Sequence, residues 1–132
     1  MANRDLLRRI ATSQSLAPAA RVTGTFTGTG VDLRGFDAAV IVVAFGAYTD
    51  GTHTPSLQHS MDNATFTACA ASDMDGSFSA VSSSAGANTT QSLGYIGTQR
   101  YVRVVMTTTG ATTGAVSVAS VIAGYPRNIP TV

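Results

Sequence analysis

The chain has 132 residues, eight Arg and seven Asp, no Lys, Glu or Trp, and a formal charge of +1. That balance leaves no electrostatic footprint for nucleic acid or anionic lipid, and a single cysteine, Cys69, excludes an internal disulfide framework. No apolar run approaches the ~18 residues of a membrane span, and the N-terminal residues lack the apolar core of a signal peptide. Lys and Glu favour helices; their absence beside abundant Thr, Val, Ser and Gly predicts an all-β chain. One domain is expected, made and kept in a reducing cytoplasm.

Residues 1–20 read as an N-terminal arm. Asn3 can cap a short helix whose Leu6, Leu7 and Ile10 form a narrow apolar stripe. Two turns are unstable alone in water, so the segment must dock on something or fray. Ser13–Ala20, with Pro18, reads as an extended tether. Removal of the whole arm is therefore expected to leave the sandwich folded.

A β-sandwich is expected over residues 21–123. Arg21–Thr27 alternates as a strand with Val22 and Phe26 on one face, and Gly28-Thr29-Gly30 breaks it. Ala38–Phe45 is eight apolar residues in a row, bounded by Gly35 and Gly46. A strand apolar on both faces needs cover on both, a second sheet on one side and an arm or another subunit on the other. Ala47–Pro55 reads as a polar loop. A hairpin follows, Ser56–Met61 and Thr65–Ala70, turning at Asp62-Asn63.

Asp73–Gly76 is a further turn, and Ser79–Thr90 reads as an exposed loop. Gln91–Tyr95 re-enters the sheet. Arg100–Thr108 turns Val102, Val104 and Met106 inward and Tyr101 and Arg103 outward. Ala115–Ala123 is expected to pair with it across Gly110 and Gly114. A three-residue loop, Gly110–Thr112, would place the valines of both strands on one buried face. Residues 124–132, with Pro126 and Pro130, form an extended tail. Seven or eight strands in an antiparallel sandwich of jelly-roll type fit this pattern; an immunoglobulin-like sandwich would lack its Cys and Trp marks.

No reactive constellation stands out. His53 and His59 lie six apart without a recognised ligand spacing and read as surface or interface histidines. Asp73-Met74-Asp75-Gly76 lacks the later acidic ligand of a calcium loop. There is no Gly-x-Ser-x-Gly elbow, and Cys69 among alanines reads as a small buried hydrophobe. Neither a catalytic residue, a metal site nor a cofactor is predicted, and the chain is expected not to be an enzyme.

Two stretches carry a resemblance: Leu57-Gln58-His59-Ser60-Met61-Asp62-Asn63-Ala64-Thr65-Phe66-Thr67 and Gly94-Tyr95-Ile96-Gly97-Thr98-Gln99-Arg100-Tyr101-Val102-Arg103-Val104-Val105. Together they resemble the capsid decoration, or cement, proteins of tailed bacteriophages, and are similar to those of short-tailed phages. The resemblance implies a jelly-roll virion protein on the outer capsid surface, made in the host cytoplasm. It would stabilise contacts between subunits of a major capsid protein, as a homodimer or other homo-oligomer and without catalytic residues.

The two extensions are the expected contacts with that partner: Arg4, Leu6, Leu7, Arg8, Arg9 and Ile10 in the arm, Arg127 and Ile129 in the tail. Arg suits such a surface because its planar fork pairs with carboxylates and stacks on aromatics. The alternative is a sugar- or receptor-binding module on a phage head or tail. Without Trp it would have to use Tyr48, Tyr95 and Tyr101.

Overall fold

Residues 6–126 are described by a computed structural model. Ten strands carry them: β1 (Ala11–Arg21), β2 (Gly24–Thr27), β3 (Val31–Asp32), β4 (Phe36–Tyr48), β5 (Thr52–Ser60), β6 (Thr67–Ala68), β7 (Met74–Asp75), β8 (Thr90–Tyr95), β9 (Tyr101–Thr109) and β10 (Ala115–Pro126). One sheet has the order β1-β10-β4-β8-β7. The other has β2-β9-β5-β6, with β3 also on β9. All pairings are antiparallel. The expected all-β sandwich is what forms, its helical content limited to 3-10 turns at Leu7–Arg9, Ala71–Asp73 and Ser84–Gly86 among the described residues.

The core lies between the sheets. Ile41, Val43 and Phe45 of β4, Val121 of β10 and Leu93 of β8 meet Leu57 of β5 and Val102, Val104 and Met106 of β9. On β9 the inward set is the one its alternation predicts. On β4 the eight-residue apolar run splits by parity. Ala39, Ile41, Val43 and Phe45 are buried, while Ala38, Val40, Val42 and Ala44 occupy the outer face, where Val40 is 42% exposed.

Three expectations are corrected. First, β9 and β10 do not pair; the chain crosses from one sheet to the other between them. The link is held over the end of the sandwich by Asp50, whose carboxylate accepts the N–H groups of Gly114 at 2.6 Å, Thr112 at 3.1 Å and Thr113 at 3.2 Å. Gly114 is in the left-handed region at φ +83°, and a Cβ there would strike the Arg21 carbonyl. On β10 the residues facing the core are Ala115, Ser117, Ala119, Val121 and Ala123, so Val116, Val118 and Ile122 point outward. The valine-inward register fails because this space is already filled by the larger side chains of β4 and β9.

Second, the tether at 13–20 is a strand. β1 pairs with β10 from Ala11 opposite Ala123 to Arg21 opposite Ala115, with register shifts between Gln14 and Leu16 and between Leu16 and Ala19. Pro18 falls in the second shift, on an edge strand, where a missing N–H costs no ladder bond. Arg21, buried at 6% exposure, ends the strand; its Nε donates to Ser117 Oγ at 3.0 Å and its Nη2 to the Ala17 carbonyl. The arm ahead of β1 is thus shorter than expected, and its helix is one 3-10 turn, Leu7–Arg9. Val22 lies where the chain changes sheets and is 43% exposed, not paired on a face with Phe26.

Third, the Ser79–Thr90 loop is anchored. Val81 is buried and exchanges backbone hydrogen bonds with His53, each 2.8 Å. The polar loop expected at 47–55 shrinks to residues 49–51, and Met74–Asp75 in the next expected turn pairs with β8.

Candidate interface

The two outer faces of the sandwich differ in chemistry. On the β1-β10-β4-β8 sheet, cross-strand partners place Val118 beside Ala44, Ser120 beside Val42, and Ile122 beside Val40. Val116 is 38% exposed. This gives an apolar stripe of short side chains over two long neighbouring strands. On the opposite sheet, Thr25, Thr107 and Thr54 stand side by side across β2, β9 and β5. Thr27, Val105 and Ser56 form the next rung, and Thr109 faces Thr52. That face is hydroxyl-rich and keeps its polar side chains in water.

At one end of the apolar stripe the chain enters β1 and leaves β10, because Ala11 sits opposite Ala123. Leu6, Arg9 and Ile10 here join Val40, Ile122 and Tyr125 around a groove of about 360 Å³. Of the arm residues expected at an interface, Leu6, Arg9 and Ile10 are therefore brought onto the sheet. Leu7, 83% exposed, and Arg8, also exposed, do not line the groove. Arg4, Arg127 and Ile129 lie outside the described residues. The 3-10 turn covers only this end of the face, and the stripe from Val42 to Val116 has no cover among the described residues.

Val40, Val116, Val118, Ile122 and Tyr125 were not singled out from sequence. The signal was present in the apolar run of β4, which called for cover on its second face. For β10 the alternation of Val with Ala and Ser gave the period without saying which set faces in.

The histidines are buried, contrary to expectation. His53 is 0% exposed. Its Nε2 lies 3.0 Å from the Asp50 carbonyl and its Nδ1 3.1 Å from Thr108 Oγ1. A carbonyl only accepts, so Nε2 carries a proton, and in the neutral ring Nδ1 then accepts from the threonine. Phe45 and Tyr48 meet this ring edge-on. His59 Nδ1 is 2.9 Å from the Tyr95 hydroxyl, which also accepts the Gln99 N–H at 3.1 Å. Burial pushes the Tyr95 phenol up from its ordinary value.

The two histidines share the inner face of β5 but stand about 20 Å apart along it. Among the described residues no three His, Cys or Asp side chains gather as a metal site. Cys69 is half-buried, and desolvation, with Asp73 adding to it, pushes its thiol up to about 12. It stays protonated at neutral pH, as a packing residue rather than a nucleophile.

No family model matches the chain, and no curated protein is significantly similar to it. Among solved structures it is similar to the crystal structure of the PBSX exported protein XepA, with a TM-score of 0.56 and 20% identity. The likeness covers 92% of this chain and 39% of that one, so the chain spans about two-fifths of the XepA length. At that identity the likeness is one of fold.

Proposed function

We propose that the chain is a capsid decoration protein of a tailed phage. It binds the outside of the head through the apolar outer face of the β1-β10-β4-β8 sheet and stabilises contacts between neighbouring major capsid protein subunits. What carries the reading is the contrast between the two faces. Val40, Val42, Val116, Val118 and Ile122 lie on one side, and a field of threonines on the other. A stripe of this kind marks an interaction surface, and a hydroxylated face opposite it suits a surface turned to water.

Further support comes from the likeness to a protein of the phage PBSX and from the resemblance carried by residues 57–67 and 94–105. The strand order, with β1, β10, β4 and β8 side by side in one sheet, β2, β9, β5 and β6 in the other, and the first and last strands adjacent, supports reading the sandwich as a jelly roll. Decoration needs area and stiffness rather than a reactive centre. Many copies, each with a modest interface, oppose separation of the shell collectively. The buried histidines and Cys69 already serve packing and hydrogen bonding, in line with a role without catalysis. We read the working unit as a homo-oligomer on the capsid surface.

The sugar-binding alternative depends on tyrosines that are otherwise engaged. Tyr95 is buried, the Tyr48 hydroxyl donates to the Gly51 carbonyl at 2.7 Å, and Arg100 lies over the Tyr101 ring at 5.0 Å.

Shells of the same phage's major capsid protein provide the test. Val118→Asp is expected to lose shell binding while keeping the wild-type circular dichroism and a cooperative melt, lowered by about a few degrees because the side chain is half-buried. Thr107→Asp, on the opposite face, is expected to bind as wild type does. Removal of residues 1–10, which spares β1, is expected to weaken binding. Undiminished shell occupancy by a folded Val118→Asp protein overturns the assignment of the face.

A further inference from the structure

The sequence holds two Asp-Gly pairs, Asp50-Gly51 and Asp75-Gly76, and the fold treats them in opposite ways. Such a pair is chemically labile, because a glycine leaves its own backbone nitrogen uncrowded beside the preceding carboxyl group. Reaction needs a carboxyl free to turn back on the chain and a peptide free to swing toward it. At Asp50 neither condition is met. Its carboxylate is taken up by the N–H groups of Thr112, Thr113 and Gly114, and these bonds hold it below its ordinary value, in the charged form that has no leaving group. Gly51 is packed tight: a Cβ there would lie 2.5 Å from the Ala111 Cβ and 3.0 Å from the Thr109 carbonyl oxygen.

Asp75 ends β7, a two-residue strand at the edge of its sheet, and both it and Gly76 are exposed. Gly76 lies beyond the ladder with φ +103°, and the nearest neighbour of a Cβ placed there is the Ser92 carbonyl oxygen, 4.0 Å away. Across the ladder Asp75 faces Gly94, which has no side chain to confine it. β7 is also separated by β8 and β4 from β10 and β1, the strands nearest both ends of the described residues. One Asp-Gly pair is thus clamped and the other is open.

We propose that Asp75-Gly76 is a site of spontaneous covalent modification, where the folded protein converts Asp75 to isoaspartate while Asp50-Gly51 is protected. The Gly76 nitrogen attacks the side-chain carboxyl carbon of Asp75. A C–N bond forms, the carboxyl OH leaves with the amide hydrogen as water, and a succinimide ring joins the two residues. Water then opens the ring. Attack at the side-chain carbonyl restores aspartate, whereas attack at the main-chain carbonyl leaves the chain running through the Asp75 side chain. One water leaves and one returns, so the mass is unchanged and no oxidant or cofactor takes part. The product carries an extra backbone carbon where β7 meets β8. Gly94 is the cross-strand partner of Val40 as well as of Asp75, so the change falls on the rim of the apolar face. The assignment does not depend on what that face binds.

The test holds the full-length protein at neutral pH and body temperature for weeks, in native buffer and in denaturing urea. Digestion with an endoprotease that cuts before aspartate but not before isoaspartate, followed by mass spectrometry, then measures the product at each site. In the native protein isoaspartate at residue 75 is expected to exceed that at residue 50 by about tenfold or more, because freeing Asp50 from even one charged hydrogen bond costs about that factor. In urea, where neither pair is held, the two sites should react at similar rates. Asp75→Glu, whose longer side chain would have to close a larger ring, should stay unmodified at that position, which ties the product to this carboxyl. Equal isoaspartate at the two sites of the native protein overturns the proposal, and so does a native Asp75 that stays unmodified. A preference for residue 75 that persists unchanged in urea would trace it to sequence instead of fold, and overturns it equally.

Discussion

Ser15 Oγ on β1 accepts the backbone N–H of Val104 on β9 at 2.9 Å, fastening the edge of one sheet to an inner strand of the other. The same hydroxyl donates to the Thr29 carbonyl at 2.9 Å, and Thr29 N–H returns to the Ser15 carbonyl at 2.7 Å. Gly28 N–H donates to Val104 O at 2.8 Å, and a Cβ at Gly28 would come within 2.6 Å of that oxygen. The β1 register shift beside Ser15 and the break between β2 and β3 are therefore two sides of one joint. Ser15→Ala leaves the buried Val104 N–H without its partner and is expected to cost about 1–3 kcal/mol. Gly28→Ala should cost at least as much through the backbone clash. Urea unfolding at neutral pH measures both, and a Ser15→Ala midpoint equal to wild type would show that this joint does not hold the sheets together.

Ile41 and Ile122 sit on neighbouring strands and opposite faces. Ile41 of β4 is fully buried beside Val121, whereas Ile122 of β10 looks outward beside Val40. The same truncation should therefore have unequal effects. Ile41→Ala empties a packed site and is expected to cost about 2–5 kcal/mol. Ile122→Ala removes half-exposed surface and should cost about 1 kcal/mol or less in the isolated protein, with its larger effect on partner binding. Equal losses of stability would mean that β10 presents the other face to the core.

How far these features could be read from sequence depended on where their cause lay. The inward set on β9, the apolar run of β4 and the Asp62-Asn63 turn are local, and residue order announces them. β1 was illegible because its residues Ala11–Gln14 and Ala17–Ala20 carry no apolar alternation. It is a strand by virtue of β10 and of Ser15's bonds to residues far along the chain. The sheet taken by β10 turned on the Asp50 carboxylate gathering the N–H groups of residues 112–114, a contact across more than sixty positions. Leu6 and Ile10 could be marked as apolar arm residues. Their meeting with Val40 and Tyr125 could not, since it follows from the β1–β10–β4 register.

Acid should loosen the fold at two named turns. Asp62 Oδ1 accepts the N–H groups of Thr65 at 2.9 Å and Ala64 at 3.0 Å and the Ser60 hydroxyl at 2.8 Å, which together hold its carboxyl down to about 2. Asp32 forms a two-pronged pair with Arg100, 2.8 and 2.7 Å, and accepts the Arg34 N–H, which likewise brings it to about 2. Both carboxyls hold their protons less tightly in the folded chain than in the unfolded one. Their contribution is complete above the ordinary carboxylate value of about 4 and disappears as pH falls through about 2. Stability followed by urea unfolding should therefore be flat from neutral pH to about 4 as far as these two groups are concerned, then decline. Asp62→Asn keeps an oxygen that can accept the turn N–H groups but cannot ionise. The variant should lose a little stability at pH 7 and show a shallower decline between about pH 4 and 2. Because both groups are largely exposed, solvent screening keeps each contribution small, and salt should reduce the Asp32–Arg100 part more than the Asp62 part, whose partners are mainly backbone N–H groups. An unchanged acid slope in Asp62→Asn would show that the turn's carboxylate does not couple folding to protons.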